Sequence, residues 1–187
     1  LAHEASLKLA KANFYKKDFD WTLQQVKVLK QSPSLLIAND AIEMFLLIQD
    51  NSAEDSLRVA LQSYATADLK LYQNKKEEAL QLFLAILQKH KGESIEEGTL
   101  FKVGKIYEEK GDFNKALTYY QNILDNHKDG IYKDEALYFS AEIYRKHLLD
   151  NEKAKVLYEK VVLEHPDSLY YTESRKQYRT LRGDSTI

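Results

Sequence analysis

GKIYEEKGDFNKALTYYQNIL, residues Gly104–Leu124, contains the pattern that decides the fold of this chain. It places a small residue at Gly104 and a second one twelve positions later at Ala116. A bulky apolar residue follows at Tyr120 and an aliphatic residue at Ile123. The same four kinds of residue recur at Ala10, Thr22, Val26 and Leu29, at Ala67, Ala79, Phe83 and Ile86, and, with one inserted residue, at Ala141, Ala154, Tyr158 and Val161. Small residues on facing helices let two backbones approach closely, so the pattern predicts four helix hairpins.

A single hairpin cannot bury its apolar face alone, so the copies are expected to stack on one another. Acidic residues at Asp18, Asp112 and Asp150 suit the N-cap of each second helix, and Pro166 ends the last copy. With six glycines and two prolines, the chain lacks the turn residues of a β-rich fold. We predict an all-α fold, a right-handed superhelical solenoid of antiparallel helix pairs. Its ten helices are predicted at about 2–16, 18–31, 34–49, 53–73, 75–89, 95–110, 112–126, 131–147, 151–164 and 168–182.

Two of these helices lie outside the four hairpins. The first and second copies stand 57 residues apart, so the helix at 34–49 must lie between them. Its apolar surface is too broad for a solvent-facing helix and comprises Leu36, Ile37, Ile42, Met44, Phe45 and Leu47. The segment 168–182 begins like a further repeat, and its many charges suit a helix that caps the last hairpin. We expect one domain over 1–187.

The repeated residues resemble the tetratricopeptide repeat, a helix–turn–helix family. The third copy carries most of the family pattern, with Gly104, Tyr107, Gly111, Phe113, Ala116, Tyr120 and Ile123. The family's early tryptophan is absent, and Lys76 replaces its usual aromatic residue in the second copy. The resemblance places repeats at about 3–34, 60–93, 97–130 and 134–167.

Two longer stretches are similar to large tetratricopeptide proteins of Bacteroidetes. They are LIANDAIEMFLLIQDN (Leu36–Asn51) and HPDSLYYTESRKQYRTLRGD (His165–Asp184). This resemblance implies a Gram-negative cell-envelope setting, in the periplasm or at the outer membrane. Because the chain begins at Leu1 and reads as helix almost at once, we expect it to be a fragment of a longer protein.

Composition and motifs argue against chemistry of its own. With 27 basic and 29 acidic residues, the chain gives no electrostatic reason to expect nucleic acid or an anionic membrane. It has no cysteine, no glycine-rich phosphate loop and no apolar run long enough to span a bilayer. We therefore predict neither catalytic residues nor a cofactor or metal. Three histidines recur at the ends of second helices: His90, His127 and His165. We expect them to cap the helix C-termini and not to form a metal-binding or pH-sensing ladder. Stacked repeats hold equivalent residues about 9–10 Å apart, which is too far for one metal ion to bridge neighbouring histidines.

The resemblance also implies where a partner would bind. In tetratricopeptide proteins the first helices line a concave face, and ligands usually lie against them. Carried over by position, the implied partner-binding residues are Tyr64, Asp68, Tyr72, Phe101, Lys105, Glu108, Tyr138, Glu142 and Arg145. Aromatic residues beside charges are typical of interface anchors. The aromatic residues are either partly exposed anchors or packed between helices, whereas the charges are expected to be exposed.

Taken together, the resemblance implies a protein–protein interaction scaffold that binds a peptide or partner protein and is not an enzyme. A homo-oligomer is compatible with this reading. The alternative is a non-catalytic helical module that supports an enzyme elsewhere in a longer protein. A nucleic-acid-binding repeat would need a basic groove, which Asp68 and Glu142 disfavour.

Overall fold

The computed structural model describes residues 2–53, 57–127 and 130–184. Within these residues the regular structure is ten α-helices and one π-helical turn, without a β-strand. The helices are α1 (Ala2–Tyr15), α2 (Phe19–Leu29), α3 (Leu35–Ala53), α4 (Val59–Tyr72), α5 (Lys76–Lys89), α6 (Ile95–Glu109), α7 (Phe113–Asn126), α8 (Lys133–Ile143), α9 (Asn151–Glu164) and α10 (Tyr171–Arg182). The predicted all-α class and number of helices are confirmed.

The chain divides into an N-terminal unit, Leu1–Thr99, and a C-terminal unit, Leu100–Ile187. In the N-terminal unit α1 packs on α2, α2 on α3 and α4 on α5, and both α1 and α3 contact α4. In the C-terminal unit α7 packs on α8, α8 on α9 and α9 on α10. Short connections between packed consecutive helices make each neighbouring pair antiparallel, as expected for a tetratricopeptide-like architecture. The repeat limits and the single domain remain predictions.

The repeated pattern forms the core of the helix pairs. All its small, bulky and aliphatic positions are buried. The bulky residues of the four copies are completely inaccessible: Val26, Phe83, Tyr120 and Tyr158. Ala116 is equally buried, which confirms the register of the third copy. At Gly104 the two helices approach closely, and this residue lies against the ring of Tyr120.

The helix ends are capped in the same way in several copies. The carboxylates of Asp18, Asp112 and Asp150 accept hydrogen bonds from the third backbone N–H of α2, α7 and α9, which confirms them as N-caps. His90 and His165 are the C-caps of α5 and α9, and His127 is that of α7. The repeated histidines therefore lie at helix C-termini, as predicted.

Each turn between the two helices of a hairpin contains one residue with positive φ. These residues are Lys17 (66°), Asn74 (60°), Gly111 (77°) and Leu149 (56°). Glycine adopts this region without steric cost and asparagine does so readily, whereas Lys17 and Leu149 adopt it at a steric cost. The same sharp turn is therefore formed by four different residue types.

The fourth copy absorbs its inserted residue in a π-helical turn, Tyr144–Leu148, which follows α8 directly. One extra residue in a helical turn is what a π-bulge accommodates. The predicted uninterrupted helix over 131–147 is therefore wrong. The insertion changes the end of the first helix, and α9 still presents Ala154 and Tyr158 to the core.

The additional helix between the first two copies is confirmed as α3. Ala41 lies in a core cluster with residues of α1 and α2, and Ile37, Met44 and Phe45 pack against that cluster. Leu36 and Ile42 remain exposed, so its apolar surface is only partly covered. The helix predicted over 53–73 begins at Val59 in the structure. Ala53 is still part of α3, and residues 54–56 lie outside the described residues.

Candidate functional site

The predicted partner-binding residues of the C-terminal unit all lie on first helices. Phe101, Lys105 and Glu108 belong to α6, Tyr138 and Glu142 to α8, and Arg145 to the π-helical turn. We call these six residues the first-helix surface. It contains one ion pair in each of the two repeats.

In the third repeat, the ion pair joins Lys105 to Glu108. The Lys105 Nζ lies 2.8 Å from Glu108 Oε2, and the same oxygen accepts a hydrogen bond of 2.8 Å from the Tyr120 hydroxyl. Lys105 Nζ also lies 3.6 Å from the centroid of the Phe139 ring, a cation–π contact. Tyr120 comes from α7, so the second helix holds the charge pair of the first helix in place.

The fourth repeat carries the same arrangement with the charges exchanged. Glu142 occupies the position of Lys105, and Arg145 occupies that of Glu108. Arg145 Nη2 lies 3.1 Å from Glu142 Oε1, and Arg145 Nε donates a hydrogen bond of 3.1 Å to the Tyr158 hydroxyl. That hydroxyl donates to Glu142, which also forms an ion pair with Lys146. A tyrosine of the second helix therefore accommodates either order of charge.

Burial and hydrogen bonding oppose each other at Glu142, which is only 7% exposed. Burial by itself would raise the pKa of this carboxyl group, but hydrogen bonds from Lys146, Tyr158 and Arg145 outweigh it, so the pKa is lowered. Burial and the Glu142 carboxylate together raise the pKa of the Tyr158 phenol. The phenol therefore stays protonated and donates to Glu142. The expectation that Glu142 is an exposed groove charge is wrong, because its neighbours enclose it.

The lowered pKa predicts a pH-dependent stability. A carboxyl group whose pKa is lower in the folded state stabilises the fold above its unfolded-state pKa, and the contribution is lost as the pH falls through the folded-state value. Glu142→Gln should therefore lower the free energy of unfolding at pH 7 by about 2 kcal/mol, because hydrogen bonds to a charged group are replaced by weaker ones. Urea melts at pH 7 and at about pH 3 test this, since the difference between the variant and the parent should shrink as the pH falls towards the lowered folded-state pKa of Glu142.

Glu152→Gln is the matched control, because the Glu152 side chain is 81% exposed and its ion pair with Lys155 lies at the surface. This variant should match the parent at both pH values. An effect of Glu142→Gln that is equally large at both pH values would contradict an electrostatic origin.

The aromatic residues of the first-helix surface are half-buried and stack within the unit. Phe101 stacks on Tyr132 with ring centroids 4.9 Å apart, and Tyr138 stacks on Tyr170 at 4.3 Å. Both rings therefore contribute to packing between helices, which was one of the two interpretations left open. Each also keeps an accessible part beside the ion pairs.

In the N-terminal unit the three predicted residues differ in exposure. Tyr64 is 1% exposed and packs edge-on against Phe83, so of the two interpretations it is packed between helices and is not a partly exposed anchor. Asp68 accepts a hydrogen bond of 3.0 Å from the Tyr15 hydroxyl. Tyr72 is 74% exposed, with its ring 5.7 Å from that of Tyr15.

Sequence reasoning missed the residues that hold the ion pairs. The repeat pattern places Tyr120 and Tyr158 at bulky core positions and predicts no role for their hydroxyl groups. It also predicts no role for Phe139 or Lys146. The sequence does contain a signal for the role of these two hydroxyl groups. The corresponding bulky residues of the first two copies, Val26 and Phe83, have no hydroxyl group. Tyrosine thus occurs at this position only in the copies whose first helix carries opposite charges at the positions of Lys105 and Glu108.

Comparison with known families gives one match. The tetratricopeptide repeat family model matches residues 99–130 and 135–168, which correspond to the third and fourth copies and support their assignment to this family. No curated protein matches the chain. Within the described ranges, no helix is long and apolar enough to cross a membrane.

Proposed function

We propose that the chain is a protein-interaction scaffold and that a partner protein or peptide binds the first-helix surface of the C-terminal unit. Tetratricopeptide repeats generally mediate protein–protein interaction, and the two matched repeats contain this surface. The proposal rests above all on the two ion pairs with exchanged order of charge. Their partly exposed members are Lys105 and Glu108, with 27% and 20% of the side chain exposed, and Arg145, with 27%.

These charged side chains are already ordered before a partner arrives. Each pair is hydrogen-bonded to a buried tyrosine, so little side-chain freedom remains to be lost on binding. The exchanged order also favours a particular partner. A segment with charges of alternating sign can complement both repeats, whereas a uniformly acidic or basic segment would be repelled by one member of each pair.

A charge-exchange variant tests the proposal without breaking the ion pair. In Lys105→Glu/Glu108→Lys the third repeat would carry the charge order that the fourth repeat has naturally, so the fold should accept it. Affinity capture with the parent chain from the source cells, followed by titration of the recovered protein, should show binding weakened about tenfold in the variant.

The matched control exchanges another ion pair in the N-terminal unit. Lys70 and Glu78 form a pair of 2.6 Å between α4 and α5, and Lys70→Glu/Glu78→Lys should leave binding unchanged. If the two variants weaken binding equally, or if no protein is recovered, the proposed surface is wrong. In the second case the chain would serve instead as a structural module for another part of a longer protein.

The proposed setting is a cell-envelope assembly. It rests on the resemblance of Leu36–Asn51 and His165–Asp184 to envelope tetratricopeptide proteins. Fractionation of the source cells with an antibody against this chain should place it in the envelope fractions, and recovery in the cytosolic fraction would contradict the setting.

A further inference from the structure

The first hairpin exposes three large apolar side chains in the N-terminal unit. Leu9 of α1 is 55% exposed, and Trp21 and Val28 of α2 are 54% and 74% exposed. Trp21 and Val28 are seven residues apart and therefore lie on one face of α2. Ala5 and Ala12, four residues before and three residues after Leu9, are exposed beside it on α1. We call these five residues the hairpin face.

The hairpin face lies on the side of the first hairpin that is opposite α3. Lys11 of α1 forms an ion pair of 3.0 Å with an aspartate of α3, and Lys30, the C-cap of α2, lies over a phenylalanine ring of α3. Leu9 is two residues from Lys11, and Val28 is two residues from Lys30. Two positions along a helix correspond to a rotation of about 200°, so both apolar side chains point away from α3.

In the fourth copy, the positions that α1 leaves open are covered by a helix. They correspond in α8 to three buried residues, with exposed fractions of 0%, 4% and 0%: Ala136, Ser140 and Ile143. In that unit α7, the second helix of the preceding copy, packs against α8. A second helix is therefore the element that this fold places against these positions of a first helix.

The α2 part of the hairpin face is specific to the first copy. Charged residues replace Trp21 in every other copy, namely Glu78, Lys115 and Lys153. Val28 is replaced by the smaller or polar residues Ala85, Asn122 and Lys160. Large exposed apolar side chains that gather on one face are typical of an interaction surface.

The hairpin face is complementary to itself. It combines an open first helix with a second helix that carries exposed apolar side chains, and a second helix is what packs against the equivalent first helix α8. In two molecules related by a two-fold axis, α2 of each molecule can cover α1 of the other. All five residues are uncharged, so this contact brings no like charges together at its centre.

A head-to-tail contact between the hairpin face and α10 of another molecule is disfavoured by charge. The exposed side chains of α10 include Arg175, Lys176 and Arg179. Covering them with an apolar surface would remove water from these charges and supply no opposite charge in return. The symmetric contact has no such cost.

We propose that the chain forms a symmetric dimer through the hairpin face, with Trp21 and Val28 of each molecule packed against Leu9 of the other. None of these residues belongs to the first-helix surface of the C-terminal unit. Dimerisation and binding of a partner at that surface can therefore be tested separately, and either proposal can fail without the other.

Sedimentation velocity of the full 187-residue chain tests the proposal, at concentrations up to about 500 µM because an interface of two short helices is small. The sedimenting mass should rise with concentration from that of one chain, 21.7 kDa, to twice that value. Trp21 is the only tryptophan of the chain, so its fluorescence reports on this face alone. Its emission should move to shorter wavelength over the same concentrations, because water leaves the indole ring.

Trp21→Lys and Val28→Lys introduce the lysines that the fourth copy carries at these positions, so the fold should accept both. Each should weaken the dimer at least about a hundredfold, because a two-fold interface loses the apolar contact twice and gains two charges. Leu163→Lys is the matched control, because Leu163 is a 73% exposed leucine of α9 outside the hairpin face, and it should leave the dimer unchanged.

Circular dichroism should give the same helix content for the three variants and the parent, since all three side chains are exposed. The proposal would be overturned if the parent chain stays monomeric throughout, which would leave the hairpin face to a different partner. It would also be overturned if Val28→Lys dimerises as well as the parent, or if dimerisation leaves the emission of Trp21 unchanged, since the interface would then lie elsewhere.

Discussion

Replacing Tyr120 with alanine is expected to lower the free energy of unfolding by about 4 kcal/mol, the largest effect that we predict. The Tyr120 side chain is completely inaccessible, and its ring lies 6.0 Å from that of Phe101 and 6.4 Å from that of Phe139. Truncation removes these contacts and leaves a cavity that packed helices cannot fully close. Denaturant melts followed by circular dichroism provide the measurement.

Tyr120→Phe is the matched control, because it keeps the ring and removes only the hydroxyl group that donates to Glu108. Glu108 retains Lys105 and solvent as partners, so this variant should cost only about 1 kcal/mol. Equal losses in the alanine and phenylalanine variants would mean that the hydrogen bond, and not ring packing, dominates at this position.

Gly104→Leu is expected to lower the free energy of unfolding by about 3 kcal/mol, at the upper end of the usual range for overpacking. A Cβ atom at Gly104 would lie 2.5 Å from Cε1 of Tyr120, closer than van der Waals contact permits. The Tyr120 ring is buried and its hydroxyl group is bonded to Glu108, so it cannot move aside freely. Thermal or denaturant melts of the variant and the parent measure the loss.

A double-mutant cycle separates this clash from helix propensity. Gly104→Ala adds only a Cβ atom, and alanine favours an α-helix over glycine by about 1 kcal/mol. In the parent the clash with Tyr120 should outweigh this gain, so Gly104→Ala should be destabilising. In the Tyr120→Ala background the ring is absent, and the same change should stabilise the fold. Destabilisation of the same size in both backgrounds would exclude the Gly104–Tyr120 contact as the cause.

The candidate site shows how far a repeat pattern predicts exposure. Tyr64, Phe101 and Tyr138 recur every 37 residues and occupy equivalent positions on three first helices. Tyr64 is buried, whereas Phe101 and Tyr138 are half-buried. Identical spacing fixes the helix face on which each residue lies, but burial also depends on side chains from other helices, such as Phe83, Tyr132 and Tyr170. Those neighbours lie far from the three aromatic positions in the sequence.

The same distinction applies to the charges. Lys105 and Glu142 occupy equivalent positions, but Glu142 is enclosed because Lys146 and Arg145 both turn towards it. Nothing in a single helix signals such a combination.

By itself the sequence determined the ten helices, the N-caps of α2, α7 and α9, and the register of the four copies, including the buried Ala116. All these features follow from interactions over a few residues or from the helical period of apolar side chains, which a sequence displays directly. Only the tertiary structure decided where the inserted residue of the fourth copy is absorbed and how deeply Tyr64 and Glu142 are buried. These outcomes depend on contacts between helices that are distant along the chain, where packing and desolvation outweigh local preference.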